Sequence, residues 1–273
     1  MPHSGDREKL EAGLQEAVFS VREPMRSAVL DGLRGGKRFR PMLCCAWYRA
    51  TGGTGDGWVS PAIAVELIHR ASLCHDDLPC MDDSATRNDR PSLHRMHCPA
   101  TAVLAGDSMI AMAFRKLCAV PYVGEAGNVL AGTIASMAGG QVAELRQPDG
   151  ASVIPSLGAW QRVVDGKTGS LLAASCRLGV LAASLGPRGS SKDLIDNAAL
   201  FGTLLGRLYQ LRDDLEDRDR LPAGALDLVE PAMMRLRGIA QATPLGKPLE
   251  GLLEELGSDR SFDRPRVHSA TVD

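Results

Sequence analysis

From about Glu8 to Leu256 the apolar residues return at helical spacing, as in VELIHRASL, AVLAGDSMIAMAFRKL, NVLAGTIASMAGGQVAEL and LLAASCRLGVLAASL. Strand-like alternation is hard to find, so this one period sets the fold class as all-α. Breaks fall at TGGTGDG near residue 54, RNDRPS near 90, RQPDGAS near 149, LGPRGSS near 188 and RLPAG near 222. Each carries the Gly, Pro, Asn or Ser that ends helices. They divide the chain into roughly nine or ten helices, and none is long enough to be an interdomain linker. A single helical domain over residues 1–273 is expected, with a polar and disordered tail over about 258–273.

A hydrophobic content of 44% is enough to bury a substantial core, and the net charge of -2 is too small to draw nucleic acid or an anionic membrane. There is no run of eighteen apolar residues to span a bilayer, and MPHSGDREKLEAGLQEA lacks the apolar centre of a signal peptide. The cysteines are Cys44, Cys45, Cys74, Cys80, Cys98, Cys118 and Cys176. Their odd number, and the lack of paired CxxC motifs, point to reduced thiols rather than to disulfides or zinc. A cytoplasmic protein is the expectation.

Acidity matters locally. SLCHDDLPCMDD places Asp76, Asp77, Asp82 and Asp83 within eight residues, and Pro79 forces the helix to loosen or end between the pairs. YQLRDDLED repeats the theme inside a helical stretch: Asp213 and Asp217 share a face and Asp214 lies beside them. Unpaired carboxylates at ~4 Å repel by roughly 4 kcal/mol in an effective dielectric near 20, so clustering them calls for a cation. Oxygen ligands without His or Cys suit Mg²⁺, which is commonly held by one or two carboxylates together with substrate phosphates. One such motif alone is as well explained by a solvated helix end; two on separate helices are not.

Cations for phosphate oxygens are also present: Lys37, Arg38 and Arg40 in GGKRFRP, Arg87 and Arg90 in RNDRPSLHR, and Lys167 with Thr168 in GKTGS. Any one of them alone reads as a surface charge. GKTGS is not a P-loop, because the upstream glycine and the preceding strand are missing. His69 lies two helical turns before Asp76 on the same face, where it either enters the same cavity or is structural. His75 and His94 read as structural.

In this order, the pieces closely resemble the trans-isoprenyl diphosphate synthases, within the short-chain bacterial and plant group that includes geranylgeranyl and farnesyl diphosphate synthases. The likeness runs from GGKRFRP through ELIHRASLCHDDLPCMDD, RNDRPSLHR, AVLAGDSMIAMAF, GGQVAEL and GKTGSLL to YQLRDDLED, roughly residues 30 to 217. It implies the helical bundle of the class I isoprenoid synthases around a central apolar cavity, usually as a homodimer. It also implies a prenyltransferase that joins isopentenyl diphosphate to an allylic diphosphate. Asp76, Asp77, Asp82, Asp213, Asp214 and Asp217 would hold Mg²⁺, three ions with substrate bound, against the allylic diphosphate. Arg87 and Lys167 match the cations on that diphosphate, Lys37, Arg40 and His69 match the isopentenyl diphosphate site, and Thr168 and Gln210 match positions lining the cavity. At Ala71 and Ser72, where family members with shorter products carry a bulky aromatic, the side chains are small, which favours a twenty-carbon product. Alternatively, the helix bearing Met109, Met112 and Phe114 sets the floor.

Two departures leave alternatives open. Arg87 is followed by Asn88 where the family has a second arginine, a loss of roughly 1.5–3 kcal/mol of charge-assisted binding unless Arg90 compensates. After YQLRDDLED the chain runs RDRLPAGALDLVEPAMMRLRG and lacks the family's lysine- and glycine-bearing lid; the later PLGKPLEG comes too late to replace it. A terpene synthase that uses no isopentenyl diphosphate, and a weakly active partner subunit of a full-length relative in a heteromer, are the competing readings. Only 3 Trp, 3 Tyr and 5 Phe are available to line a cyclising cavity, which weighs against the first.

Overall fold

In a computed structural model of the chain, residues 4–145, 156–184, 191–217, 221–243, 246–247, 249–250 and 253 are described. The breaks near 149 and 188, half of PLGKPLEG and the tail over 258–273 lie outside them. Eleven α-helices carry the described residues: α1 Ser4–Phe19, α2 Met25–Leu33, α3 Phe39–Ala50, α4 Val59–Asp76, α5 Leu93–Met96, α6 Pro99–Leu117, α7 Val123–Leu145, α8 Leu157–Val164, α9 Ser170–Ala183, α10 Lys192–Glu216 and α11 Val229–Ala242. A π-helical turn, Asp165–Gly169, joins α8 to α9, and a 3₁₀ turn, Leu226–Leu228, precedes α11.

RNDRPS does more than end a helix. Thr86–Arg87 (β1) pairs antiparallel with Arg90–Pro91 (β2). Asn88 and Asp89 both take positive φ (52° and 59°), as a two-residue type I′ hairpin turn requires. Asn adopts that conformation more readily than most residues, which gives Asn88 a backbone role.

Two apolar layers meet at α9. On one side it closes a core with α1, α2, α4, α6 and α7 around Leu10, Ile63, Leu67, Met109 and Leu130; on the other it packs with α3, α10 and α11 around Trp47, Phe201, Leu205 and Leu236. Trp47 and Phe201 meet edge to face at 5.4 Å. The α3 and α9 backbones approach so closely that a Cβ on Gly179 would lie 2.3 Å from the Cys44 carbonyl oxygen. Residues Trp160, Val164, Leu211 and Ala225 form a third, smaller cluster that folds the segment after α10 back onto α8.

One ionic pin fixes the GGKRFRP loop above α4. The buried Glu66 carboxylate accepts from Arg38 Nη1 and Arg70 Nε, both at 2.7 Å, while Arg38 Nη2 donates to the Leu33 carbonyl at 2.8 Å. Arg38 therefore faces inward and is a structural cation rather than a free one. Removing one partner of a buried ion pair costs roughly 3–5 kcal/mol because the others stay buried without their counter-charge.

Candidate active site

The helix bearing the first aspartate pair ends at Asp76, as Pro79 demanded. The chain then folds back, the Asp82 amide donating to the Asp76 carbonyl at 2.9 Å, so the loop returns Asp82 beside Asp76. Opposite, α10 presents Asp213. A cavity of about 490 Å³ lies between them, lined at one end by Asp76, Asp82, Asp213, Arg40, His69, Arg87, Lys167, Thr168 and Gln210. Ile68, Ala71, Ile110, Ile134, Met137 and Leu171 are among its apolar wall residues, with Ser72, His75 and Gln141 as polar members. One charged end and one oily end match a ligand of the same polarity.

Burial pushes the Asp76 carboxyl up to about 6; Asp82 and Glu144 add to the rise and Lys167 opposes it. Asp213 is likewise raised, by burial first, against the pull of Arg212. Lys167 pairs with Glu144 one wall away. Burial and the guanidinium groups of Arg40, Arg70, Arg38 and Arg87 hold His69 well below its usual pKa. The neutral imidazole Nε2 accepts from Arg40 Nη1 at 3.2 Å. Arg40 Nε is buried with no partner among the described residues, a donor left for an anion.

Several expected residues stand elsewhere. Asp77 is buried and turned from the cavity: Arg87 Nε reaches its Oδ1 at 3.0 Å, and Arg87 Nη2 bonds the same oxygen. It bonds Arg87 and does not line the cavity. Asp214 is similarly committed, its Oδ2 accepting from Trp160 Nε1 at 3.0 Å and its Oδ1 from Gln210 Nε2 at 2.7 Å. Gln210 in turn accepts from the Thr168 hydroxyl at 3.0 Å. Asp217 is exposed at the C-cap of α10 and Lys37 is exposed before α3; neither lines the cavity. Asp83 has turned out to Arg95.

Among the chain-length candidates, Ala71 and Ser72 line the cavity, while Met109, Met112 and Phe114 do not. Met109 is wholly buried beneath Gly32, and Ile110 is the α6 side chain in the wall. His75 also proves to be a wall residue, seated against Gly106 so closely that a Cβ there would lie 2.2 Å from its Nε2. His94 is buried against Ser92, as a structural histidine should be. Sequence reasoning passed over Glu144, Trp160 and Ile110. Glu144 was discoverable, since GGQVAEL puts it one turn beyond Gln141 on an otherwise apolar helix.

Among the described residues no three acidic, His or Cys side chains gather around a single point as a preformed metal cage. The donor set still fits Mg²⁺, since Asp76 and Asp82 face Asp213 across the cavity and their charge is only partly neutralised. Mg²⁺ needs only one or two carboxylates when phosphate oxygens complete its shell.

The Polyprenyl synthetase family model matches residues 22–222. The chain belongs to that family. It is 37% identical over 216 residues to the chloroplastic geranylgeranyl pyrophosphate synthase of Capsicum annuum, covering 76% of this chain and 56% of that protein. It is 35% identical over 211 residues, 73% of this chain and 54% of the other, to the heterodimeric geranylgeranyl pyrophosphate synthase large subunit 1 of Arabidopsis thaliana. The chain thus spans little more than half the length of the curated relatives it matches. Its fold superposes with a TM-score of 0.80 on a geranyltransferase from Legionella pneumophila at 25% identity, covering 94% of each chain. It superposes at 0.79 on an isoprenoid synthase family member from Thermotoga neapolitana, also 25% identical, covering 94% of this chain and 100% of that one. The all-α isoprenoid synthase architecture is therefore the fold of this chain. Among the described residues, no helix is long and apolar enough to cross a membrane.

Proposed function

We propose that this polyprenyl synthetase works as one isoprenoid synthase domain, joining isopentenyl diphosphate to an allylic diphosphate, with geranylgeranyl diphosphate as the main product. The observation that carries the reading is the polarity of the cavity: three cations and three carboxylates at one end, an apolar tunnel with small Ala71 and Ser72 behind it.

Arg87 and Lys167 bind the allylic diphosphate, and their pairing with Asp77 and Glu144 orients them before substrate arrives. Asp76, Asp82 and Asp213 would hold Mg²⁺ between protein and diphosphate, with Asp217 near the mouth as an outer ligand. Bound Mg²⁺ would supply positive charge to the leaving diphosphate. Arg40, through its unpartnered Nε, takes the second diphosphate, and neutral His69 fixes the guanidinium from behind. The apolar walls exclude water from the allylic carbons once the C–O bond breaks. The alkene of isopentenyl diphosphate then attacks the cation, and proton loss to the departed diphosphate leaves a product five carbons longer. Catalysis on this account is positioning and electrostatics, without a covalent enzyme intermediate.

The test is to supply purified protein with Mg²⁺, isopentenyl diphosphate and each allylic diphosphate in turn, and to size the products. Ala71→Phe should shorten the main product. A terpene synthase is the second reading, favoured by Asn88 being a hairpin residue and by Lys37 lying off the cavity wall, which together thin the isopentenyl diphosphate site. Diphosphate release from an allylic substrate alone, without elongation, would select it. A homodimer, or a heteromer with a full-length relative, is read out by the mass of the purified protein.

A further inference from the structure

Two glutamines face the same cavity and differ in what holds them. Both ends of the Gln210 amide are committed, to Thr168 and to Asp214. Gln141, on α7, is 9% exposed and lines the cavity, yet neither its Oε1 nor its Nε2 has a partner among the described residues. Two other polar groups of the cavity wall are already spent: the Ser72 hydroxyl donates to the His69 carbonyl at 2.9 Å and the His75 ring bonds the Val103 carbonyl at 3.1 Å. A buried amide with both ends open is disfavoured unless something else completes it.

Its level in the tunnel says what that is. Gly140 lets α7 approach the π turn so closely that a Cβ there would lie 2.6 Å from the Lys167 nitrogen. Glu144, one turn on, pairs with the Lys167 ammonium. Gln141 therefore sits beside the junction of the charged and apolar ends, with Met137, Ala138 and Val142 as its cavity-lining neighbours. Resting on the allylic-diphosphate reading above, we propose that Gln141 is a further catalytic residue whose amide oxygen stabilises the allylic cation. When the C–O bond breaks, its electron pair leaves with the diphosphate and the positive charge spreads over the first and third carbons. The Gln141 Oε1 dipole faces that charge and forms no bond; the charge is discharged when the alkene electrons make the new C–C bond. A fixed dipole in a water-excluded site acts most strongly on charge that appears only in the transition state.

The test uses two non-reacting diphosphates of equal shape: one with a protonated nitrogen in place of the third carbon, and a neutral one with sulfur in place of the bridging oxygen. With Mg²⁺ and full-length protein, Gln141→Leu should bind the ammonium compound about tenfold or more weakly than wild type does, and the neutral one within twofold. Gln141→Glu, which keeps an oxygen and adds charge, should bind the ammonium compound more tightly than wild type. Thermal unfolding of Gln141→Leu should match wild type, and Gln141→Met replaces it if that variant does not fold. Equal weakening of both compounds, or no change in either, overturns the catalytic role while leaving the allylic-diphosphate reading intact. Failure of wild type to bind either compound overturns both.

Discussion

The two aspartate motifs enter the cavity from opposite walls and divide their labour alike, but with different partners. Each sends its first carboxylate, Asp76 or Asp213, to the cavity and withholds its second. Asp77 is withheld by a cation, Arg87, and Asp214 by two neutral donors, Trp160 and Gln210. The difference teaches that the two members of a DD pair can be held apart in what they touch: the second aspartate bonds a cation in one motif and an indole and an amide in the other. The carboxylate makes both sets of bonds charge-assisted, but only Asp77 also meets a full opposite charge, in a forked contact with Arg87, so the first motif should be the stiffer clamp.

The largest effect should come from equating the two cavity-facing residues. Asp76→Ala and Asp213→Ala are each expected to lower turnover by about 10³-fold, measured as product formed at saturating Mg²⁺. If Asp77→Ala lowered turnover as far without weakening substrate binding, the division of labour would be wrong. Asp77→Ala should instead cost about 2 kcal/mol in denaturant-induced unfolding and raise the KM for the allylic diphosphate, since Arg87 loses its orienting partner.

The folded protein raises Asp76 to about 6, so it binds this proton more tightly than the unfolded chain does. In metal-free protein that contribution is fully present below about pH 4 and is lost as the pH rises through 6. Asp76→Asn should flatten that part of the stability profile, and an unchanged profile would break the assignment. The smallest effect belongs to the neutral side. Trp160→Phe removes one hydrogen bond to the Asp214 carboxylate, worth roughly 1.5 kcal/mol, and a double-mutant cycle with Asp214→Ala should recover a coupling of that order.

Much of this was legible beforehand. The 3.6-residue period gave the helical class, and Pro79 correctly ended α4 at the first motif. What stayed hidden depended on partners far along the chain. Nothing near Asp214 announces Trp160, fifty-four residues earlier, and Asp77 could not be told from Asp76 until Arg87 was folded over it. Adjacent residues on a helix differ by about 100° in direction, which lets the members of a pair meet different partners but does not say which member faces the cavity. Asn88 read as a lost arginine, whereas the structure shows a turn position that requires positive φ. The open amide of Gln141 was invisible because an orphaned group is defined by what surrounds it, and DGKTG carries no outward sign of a π turn.

That π turn is a local widening in a single rod. Trp160 and Lys167 ride on one continuous helical run, and each must meet a different neighbour: the indole meets Asp214, the ammonium Glu144. The wider turn takes up one extra residue, so α8 and α9 keep nearly the relative rotation of a regular helix one residue shorter. What its width re-aims are the side chains of the turn itself, Lys167 among them. Deleting one residue there should leave the Trp160 contact to Asp214 in place and cost the pair of Lys167 with Glu144.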